Sequence, residues 1–305
     1  MSIASVTARI DGVSYPLTLN SETGKYEATI TAPYASSFTQ TGGYFYVRVT
    51  VKNTAGKQVM IDSRDETFGE NLRLFVRENV PPVITPESHQ SGCYFSELPI
   101  RLTFTALDNI NGQSSGYSGI NAASARVIID NIPQRVNLAQ NIEGGYRFTF
   151  VSDLPISEGE HSARIGVSDN DGNYTWLPFD FCLDLNAPSL SVSYPHNGDV
   201  INDEYITVTG TSGDSVTSQP FVSVSVNGQP CGFADFVSEN VFEKRVHLTE
   251  GTNTVAVTAS DSSGKSVTVS KSVTLDSYPP VFHSVTLSPD STDAGGAYVI
   301  SVEVE

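Results

Sequence analysis

Four oxygen-bearing side chains, Asp169, Asn170, Asp171 and Asn173, fall within the six residues "SDNDGN" (Ser168–Asn173), the side-chain chemistry of a calcium loop. Calcium takes about six to eight oxygen ligands, so the loop needs help from elsewhere. Asp108, converging from another loop, makes a weak calcium set with Asp169 and Asp171. A second tract, "GQSSG" (Gly112–Gly116), matches the Gly-x-Ser-x-Gly spacing of a hydrolase nucleophile elbow around Ser114. That elbow requires a strand before the serine and a helix after it, whereas "YSGINAASARVII" reads as loop running into strand. The five histidines, His89, His161, His196, His247 and His283, are scattered and show no metal-ligand spacing with each other or with cysteine. Asp153 and Glu158 form an acidic pair, but a strand-rich sandwich without a cleft is a poor holder of two glycosidase carboxylates. No glycine-rich phosphate loop precedes a helix. The residue chemistry therefore points away from catalysis and leaves no cofactor implied.

The elements that must position these residues emerge from an internal repeat. "GYFYVRVTVKNTAGK" from Gly43, "GEHSARIGVSDNDGN" from Gly159 and "GTNTVAVTASDSSGK" from Gly251 align, and in each a second glycine follows 13 positions later (56−43, 172−159, 264−251). Val47, Val49 and Val51 match Ala163, Ile165 and Val167, and then Val255, Val257 and Ala259, the period-two alternation of a half-buried strand. Alternation resumes after the turn with Val59 and Ile61, Thr175 and Leu177, and Val267 and Val269. Each copy thus reads strand, turn, strand. Asn or Asp opens the turn because its side chain bonds its own backbone nearby, and Gly closes it because a left-handed backbone costs glycine little. "SDNDGN" is the second copy of this hairpin, and the sister copies carry Thr, Ala or Ser at equivalent places. The hairpin turn is accordingly the favoured reading, with the calcium set of Asp108, Asp169 and Asp171 beside it.

Further landmarks recur. "ARIDGVSY", "VIIDNIPQ" and "VSVNGQP" place Asp-Gly, Asp-Asn or Asn-Gly at a strand end, and Tyr26, Tyr146 and Phe242 each start a strand. Proline marks the exits at Pro82, Pro188 and Pro280, where it stiffens a short linker and ends a ladder. The predicted organisation is all-β: immunoglobulin-like sandwiches over 1–80, 81–186 and 187–278, then a two-strand segment over 279–305 that is either part of a further domain or a docking arm. Two loops depart from the repeat, "IDSRDETFGE" in the first unit and "DNINGQSSGYSGINAAS" in the second, and loops carry variation that a rigid sandwich leaves free. Tyr174 and Trp176 have the parity opposite to Thr175 and Leu177, so they point out of the core. With Tyr117 they are the interaction candidates, unless the inserted loop at 109–120 covers them. Cys93 and Cys182 lie near the two ends of the second unit, where a disulfide between neighbouring strands is possible.

The chain has 305 residues, 34 acidic and 17 basic, for a net charge of −17. That balance repels nucleic acid and anionic membranes. Three cysteines do not make a disulfide framework. The start "IASVTARI" lacks the basic and apolar regions of an export signal, and no apolar run approaches the ~18 residues of a membrane span. The expectation is a chain that is neither membrane-inserted nor exported by a conventional signal.

The opening "MSIASVTARIDGVSYPLTLNSETGKYEATITAP", the "PPV" linkers and the closing "VTLSPDSTDAGGAYVISVEVE" resemble Ig-like proteins of the tail and baseplate modules of bacteriophages, and of phage-derived particles, of Gram-positive hosts. The resemblance implies a non-enzymatic virion component acting as spacer, decoration or adhesion module. It would fold in the host cytoplasm before release, stand in multiple copies in a symmetric assembly, and meet other tail or baseplate proteins and host surface polysaccharide. The terminal hairpin is then a plausible anchor. The alternative is a bacterial cell-surface adhesin or the accessory carbohydrate-binding region of a larger secreted protein.

Overall fold

The computed structural model describes residues 2–109, 116–216 and 219–305. Among them the regular structure is β throughout, apart from one 3-10 turn at Gly69–Leu72. Scarce helix formers and abundant Val, Thr and Tyr give this outcome directly. The chain divides into two compact units, Met1–Leu183 and Asp184–Glu305.

The first unit begins with a five-stranded sheet in the order Tyr26–Glu27, Val13–Leu19, Ile3–Ile10, Arg48–Asn53, Gln58–Ile61, while Phe45–Tyr46 pairs separately with Arg73–Leu74. Val6, Ala8 and Ile10 alternate inward, and Phe45 joins them as a buried apolar side chain. Val59 departs from the expected inward row: it is 70% exposed, because Gln58–Ile61 is an edge strand flanked on one side only. The "IDSRDETFGE" excursion folds into bends and the 3-10 turn, with Asp62 accepting from the Arg64 side chain at 2.7 Å.

The rest of that unit is a sandwich. One sheet runs Leu138–Ile142, Gly145–Val151, Arg101–Leu107, Val83–Pro86. The other runs Ile132–Arg135, Ile120–Ile129, Ala163–Asp169, Tyr174–Pro178, beside a three-stranded sheet of Gly159–His161, Phe181–Leu183 and Cys93–Phe95. Between them Phe104, Phe148, Phe150, Val127, Ile165 and Phe179 are fully buried, with Phe104 stacked on Phe148 at 5.2 Å. The second unit repeats the plan. The sheet Ser189–Tyr194, Tyr205–Gly213, Val241–His247, Asp235–Phe236 faces Val200–Ile201, Ser266–Leu275, Gly251–Ser260, Phe221–Val226, Gln229–Phe233. Val208, Phe242, Leu248, Val255 and Val257 form its core. The strands Phe282–Ser288 and Val299–Val304 pair with each other, and every residue from 278 to 305 is exposed.

The three Asx-containing strand ends are two-residue hairpins. Asp11 and Gly12, Asp130 and Asn131, and Asn227 and Gly228 all have positive φ, between 46° and 78°. They join Ile10 to Val13, Ile129 to Ile132, and Val226 to Gln229 in register. Positive φ at both central positions is the turn whose twist matches the flanking strands. Cys93 and Cys182 form no disulfide. Their strands do neighbour one another, but Cys93 is aligned with Phe181 and Cys182 with Tyr94. This one-residue offset turns the two side chains to opposite faces.

Truncating the stacked Phe148 to alanine leaves a cavity against Phe104. Phe148→Ala is expected to lower the stability of this sandwich by about 3–5 kcal/mol. The check is urea unfolding followed by fluorescence of Trp176, the chain's single tryptophan.

Candidate functional site

The turn that closes the hairpin of Ala163–Asp169 and Tyr174–Pro178 positions the first carboxylate. Asp169 Oδ1 accepts from the backbone N–H groups of Gly172 at 2.7 Å and Asn173 at 2.8 Å, while Oδ2 accepts from the Asn173 side chain at 2.7 Å. Asp108 follows directly on Arg101–Leu107, and its Oδ2 accepts from Gly119 N–H at 2.6 Å. Glu78 arrives on the segment ahead of Val83–Pro86. Its backbone N–H donates to Asp171 Oδ2 at 3.0 Å, and its carbonyl and Oε1 accept from the Asn173 side chain at 3.1 and 3.0 Å. One carboxylate oxygen each from Glu78, Asp108 and Asp169 lies within 4.8 Å of the other two. Asp108 and Asp169 are 2% and 1% exposed.

Three acids so close in a buried place resist ionising together. Burial pushes Glu78 up to about 7, with Asp169 and Asp108 adding to the shift. Asp108 is raised as well, chiefly by burial and then by Asp169 and Asp171, against the lowering bond from Gly119. Asp108 Oδ1 is buried with no hydrogen-bond partner.

Of the residues singled out in the sequence, Asp108 and Asp169 are thus brought together, and Asp171 stands beside them facing the Glu78 N–H rather than joining the three. In the other unit the carboxylate oxygens of a second group, Asp184, Asp214 and Asp261, also lie within 4.8 Å of one another. Sequence reasoning missed Glu78 and all three of these. The signals were present: Glu78 and Asp184 each lie four residues before the exit proline (82−78, 188−184), and Asp169 and Asp261 each lie ten after the opening glycine (169−159, 261−251).

Tyr174 and Trp176 do point outward, 39% and 41% exposed, with ring centroids 4.9 Å apart. The Trp176 ring lies over Gly166, where an added Cβ would meet it at 2.4 Å, and the Arg164 guanidinium covers it at 4.6 Å. Tyr174 Oη donates to the Ser124 carbonyl at 3.4 Å. Tyr117 is half-buried and lines a depression of about 320 Å³ with Asp108, Gly119, Tyr146 and Asn170. Ser114 and the tip of the inserted loop lie outside the described residues. The Asp130–His161 pair edges a cleft of about 640 Å³, yet both His161 nitrogens are engaged, by Asp130 Oδ2 at 2.6 Å and the Ser157 carbonyl at 2.8 Å.

Residues 188–277 match the family model described as glucodextranase, domain B. A stretch of 152 residues is 26% identical to bacillopeptidase F of Bacillus subtilis (strain 168), covering 50% of this chain and 10% of that protein. The chain therefore spans about a tenth of the length of that relative. Among solved structures, the fibronectin(III)-like modules of Clostridium thermocellum CbhA are similar at TM-score 0.42 and 15% identity, over 63% of this chain and 94% of theirs. Titin domains I67–I69 are similar at TM-score 0.42 and 13% identity, over 89% and 87%. The fold is all-β, with β-sandwiches following one another along the chain.

Asn173 holds the turn, the Glu78 segment and Asp169 together through one amide. Asn173→Ala leaves Asp169 Oδ2 buried without its donor and is expected to cost about 1–3 kcal/mol in stability. Urea unfolding read by Trp176 fluorescence measures it.

Proposed function

We propose that the chain is a non-enzymatic structural module, a semi-rigid spacer or adhesion segment of a larger assembly directed at a cell surface. One observation carries this reading: the segment connecting the first sheet to the following sandwich is bonded on both sides. Ser37 N–H donates to the Val76 carbonyl at 2.8 Å and Val76 N–H to Ser37 Oγ at 3.1 Å. A few residues on, Glu78 is held by Asp171 and Asn173, and Thr175 Oγ1 donates to the Pro82 carbonyl at 2.6 Å. A connection fixed in this way transmits orientation from one domain to the next, which is what a spacer needs.

The assembly is a phage or phage-derived tail or baseplate. This finer reading rests on the resemblance of the two ends and the linkers, and it places the chain in multiple copies among other tail proteins, with host polysaccharide as the outer contact. The exposed Phe282–Ser288 and Val299–Val304 hairpin then serves as the anchor, since two strands alone are marginal in water. A second reading, a bacterial cell-surface adhesin or the accessory carbohydrate-binding region of a larger secreted protein, takes support from the 152-residue likeness to a small part of a much longer Bacillus protein.

Immunogold electron microscopy of particles from the source culture tests the choice. Label on tails or their tips is the expected result, and label on cell walls or in particle-free medium overturns it in favour of the secreted protein. In the tail setting, a chain truncated at Pro280 is expected to be absent from particles, and its normal incorporation removes the anchor role.

A further inference from the structure

The two carboxylate groups occupy the same place in successive domains. Arg101–Leu107 lies between Val83–Pro86 and Gly145–Val151, as Tyr205–Gly213 lies between Ser189–Tyr194 and Val241–His247. Asp108 and Asp214 are the first residues beyond those central strands. Antiparallel pairing sets Leu107 opposite Val83 and Gly213 opposite Ser189, so each acid stands where the incoming segment enters the sheet. That segment brings Glu78 in one case and Asp184 in the other. The facing sheet brings Asp169 or Asp261, at the opening of the repeat hairpin.

The hairpin itself does not need the charge. In the first copy Asn53 makes the equivalent turn bond, its Oδ1 accepting from Lys57 N–H at 2.9 Å. Asp169 accepts from Asn173 N–H at 2.8 Å and Asp261 from Lys265 N–H at 2.9 Å. An amide would close all three turns, and it would avoid the penalty of burying an anion beside two others.

Buried oxygens in both groups are left without hydrogen-bond partners. Asp184 is 0% and Asp261 7% exposed. Asp184 Oδ2, Asp261 Oδ2 and Asp108 Oδ1 have no hydrogen-bond partner, and they are the carboxylate oxygens so placed among the described residues. Asp184 is raised by burial and by Asp214 and Asp261, with bonds from Asn186 N–H and Ser263 opposing. The atoms each group can offer a metal are oxygens: three carboxylates, with the Ser118 hydroxyl 3.4 Å from Glu78 Oε1 and the Ser263 hydroxyl 2.8 Å from Asp261 Oδ1, while the Asn173 amide donates to Glu78 Oε1 and Asp169 Oδ2.

We propose that each group, Glu78–Asp108–Asp169 and Asp184–Asp214–Asp261, binds one hard divalent cation of the calcium class. Carboxylates without His or Cys select a hard ion over zinc or copper. Carboxylate oxygens that all lie within 4.8 Å of one another can meet on one ion, and a set drawn from flexible turns and an entering segment suits the adaptable coordination of calcium, at about 2.3–2.6 Å, better than the strict octahedron of magnesium. The cation neutralises the three acids and fixes the incoming segment to a strand end and a hairpin turn.

Calorimetric titration of the full chain with calcium chloride, after removal of metal with EDTA, tests the proposal. Two equivalents are expected, with thermal transitions rising by about 5–10 °C once calcium exceeds its Kd about a hundredfold. Asp108→Asn is expected to remove one equivalent and the paired change Asp184→Asn with Asp261→Asn the other. In EDTA these variants should be at least as stable as the parent, because each deletes a buried charge. Absence of calcium binding at millimolar concentration overturns the proposal, as does binding that persists unchanged in the Asn variants. Variants equally destabilised in EDTA and in calcium would show the acids to be structural, and equal binding of magnesium chloride would overturn the calcium assignment.

Discussion

A side chain accepting the backbone N–H four residues on organises every copy of the long hairpin: Asn53 from Lys57, Asp169 from Asn173, Asp261 from Lys265. With that bond made, the following glycine is driven to positive φ at Gly56, Gly172 and Gly264, and the register of the two strands is set. Register decides everything downstream, since a slip of one residue would exchange the buried row for the exposed one. In the later copies that row, Ala163, Ile165 and Val167 or Val255, Val257 and Ala259, lies wholly inside the sandwich. The same turn bond also determines where the acid at the tenth position stands. Core and charged site are therefore two consequences of one local interaction.

The three copies use this interaction to different depth. Val47, Val49 and Val51 are only half-buried; Val47 falls between two strands, and the sheet that holds Val49 and Val51 is accompanied by a pairing of two residues from each side. The copy with the shallow core has Asn at the turn. The copies with closed cores have Asp, joined by an acid from the entering segment and an acid from the neighbouring strand end. A deep sandwich draws these groups out of water, so the charge that would be harmless on an open sheet becomes an electrostatic problem in a closed one.

What the sequence disclosed followed from short-range rules. Alternation, the 13-residue glycine spacing and the Asp-Gly, Asp-Asn and Asn-Gly hairpins depend on residues adjacent along the chain, and each was readable. The outward aim of Trp176 was readable too, from parity alone, whereas its seat over Gly166 beneath Arg164 depended on the strand pairing of Gly166 with Trp176. Cys93 and Cys182 show the limit: nearness of strands was inferable, but a one-residue offset in a parallel pair was not. The carboxylate groups lay at the same limit. At the places aligned with "SDNDGN" the sister copies carry Thr, Ala and Ser, which obscure Asp261 as the one acid retained, while Glu78 and Asp184 sit in linkers where no periodicity operates.

The chain carries far more acid than base, and most of that acid is on turns in contact with water, where its effect is solubility. Glu78, Asp108, Asp169, Asp184 and Asp261 answer to a different constraint. Each is removed at least partly from solvent, and each lies where an entering segment meets the sheet it starts. Solubility cannot account for a buried anion, and turn formation does not require one, as Asn53 shows. What the position does offer is leverage: a segment bonded there is committed to one path into the sandwich, and three acids converging on it can ionise together only with a counter-charge beside them. The connection is thus held by hydrogen bonds of the kind Asn173 makes, and under the proposed cation site its order would be set by the composition of the medium as well as by the chain.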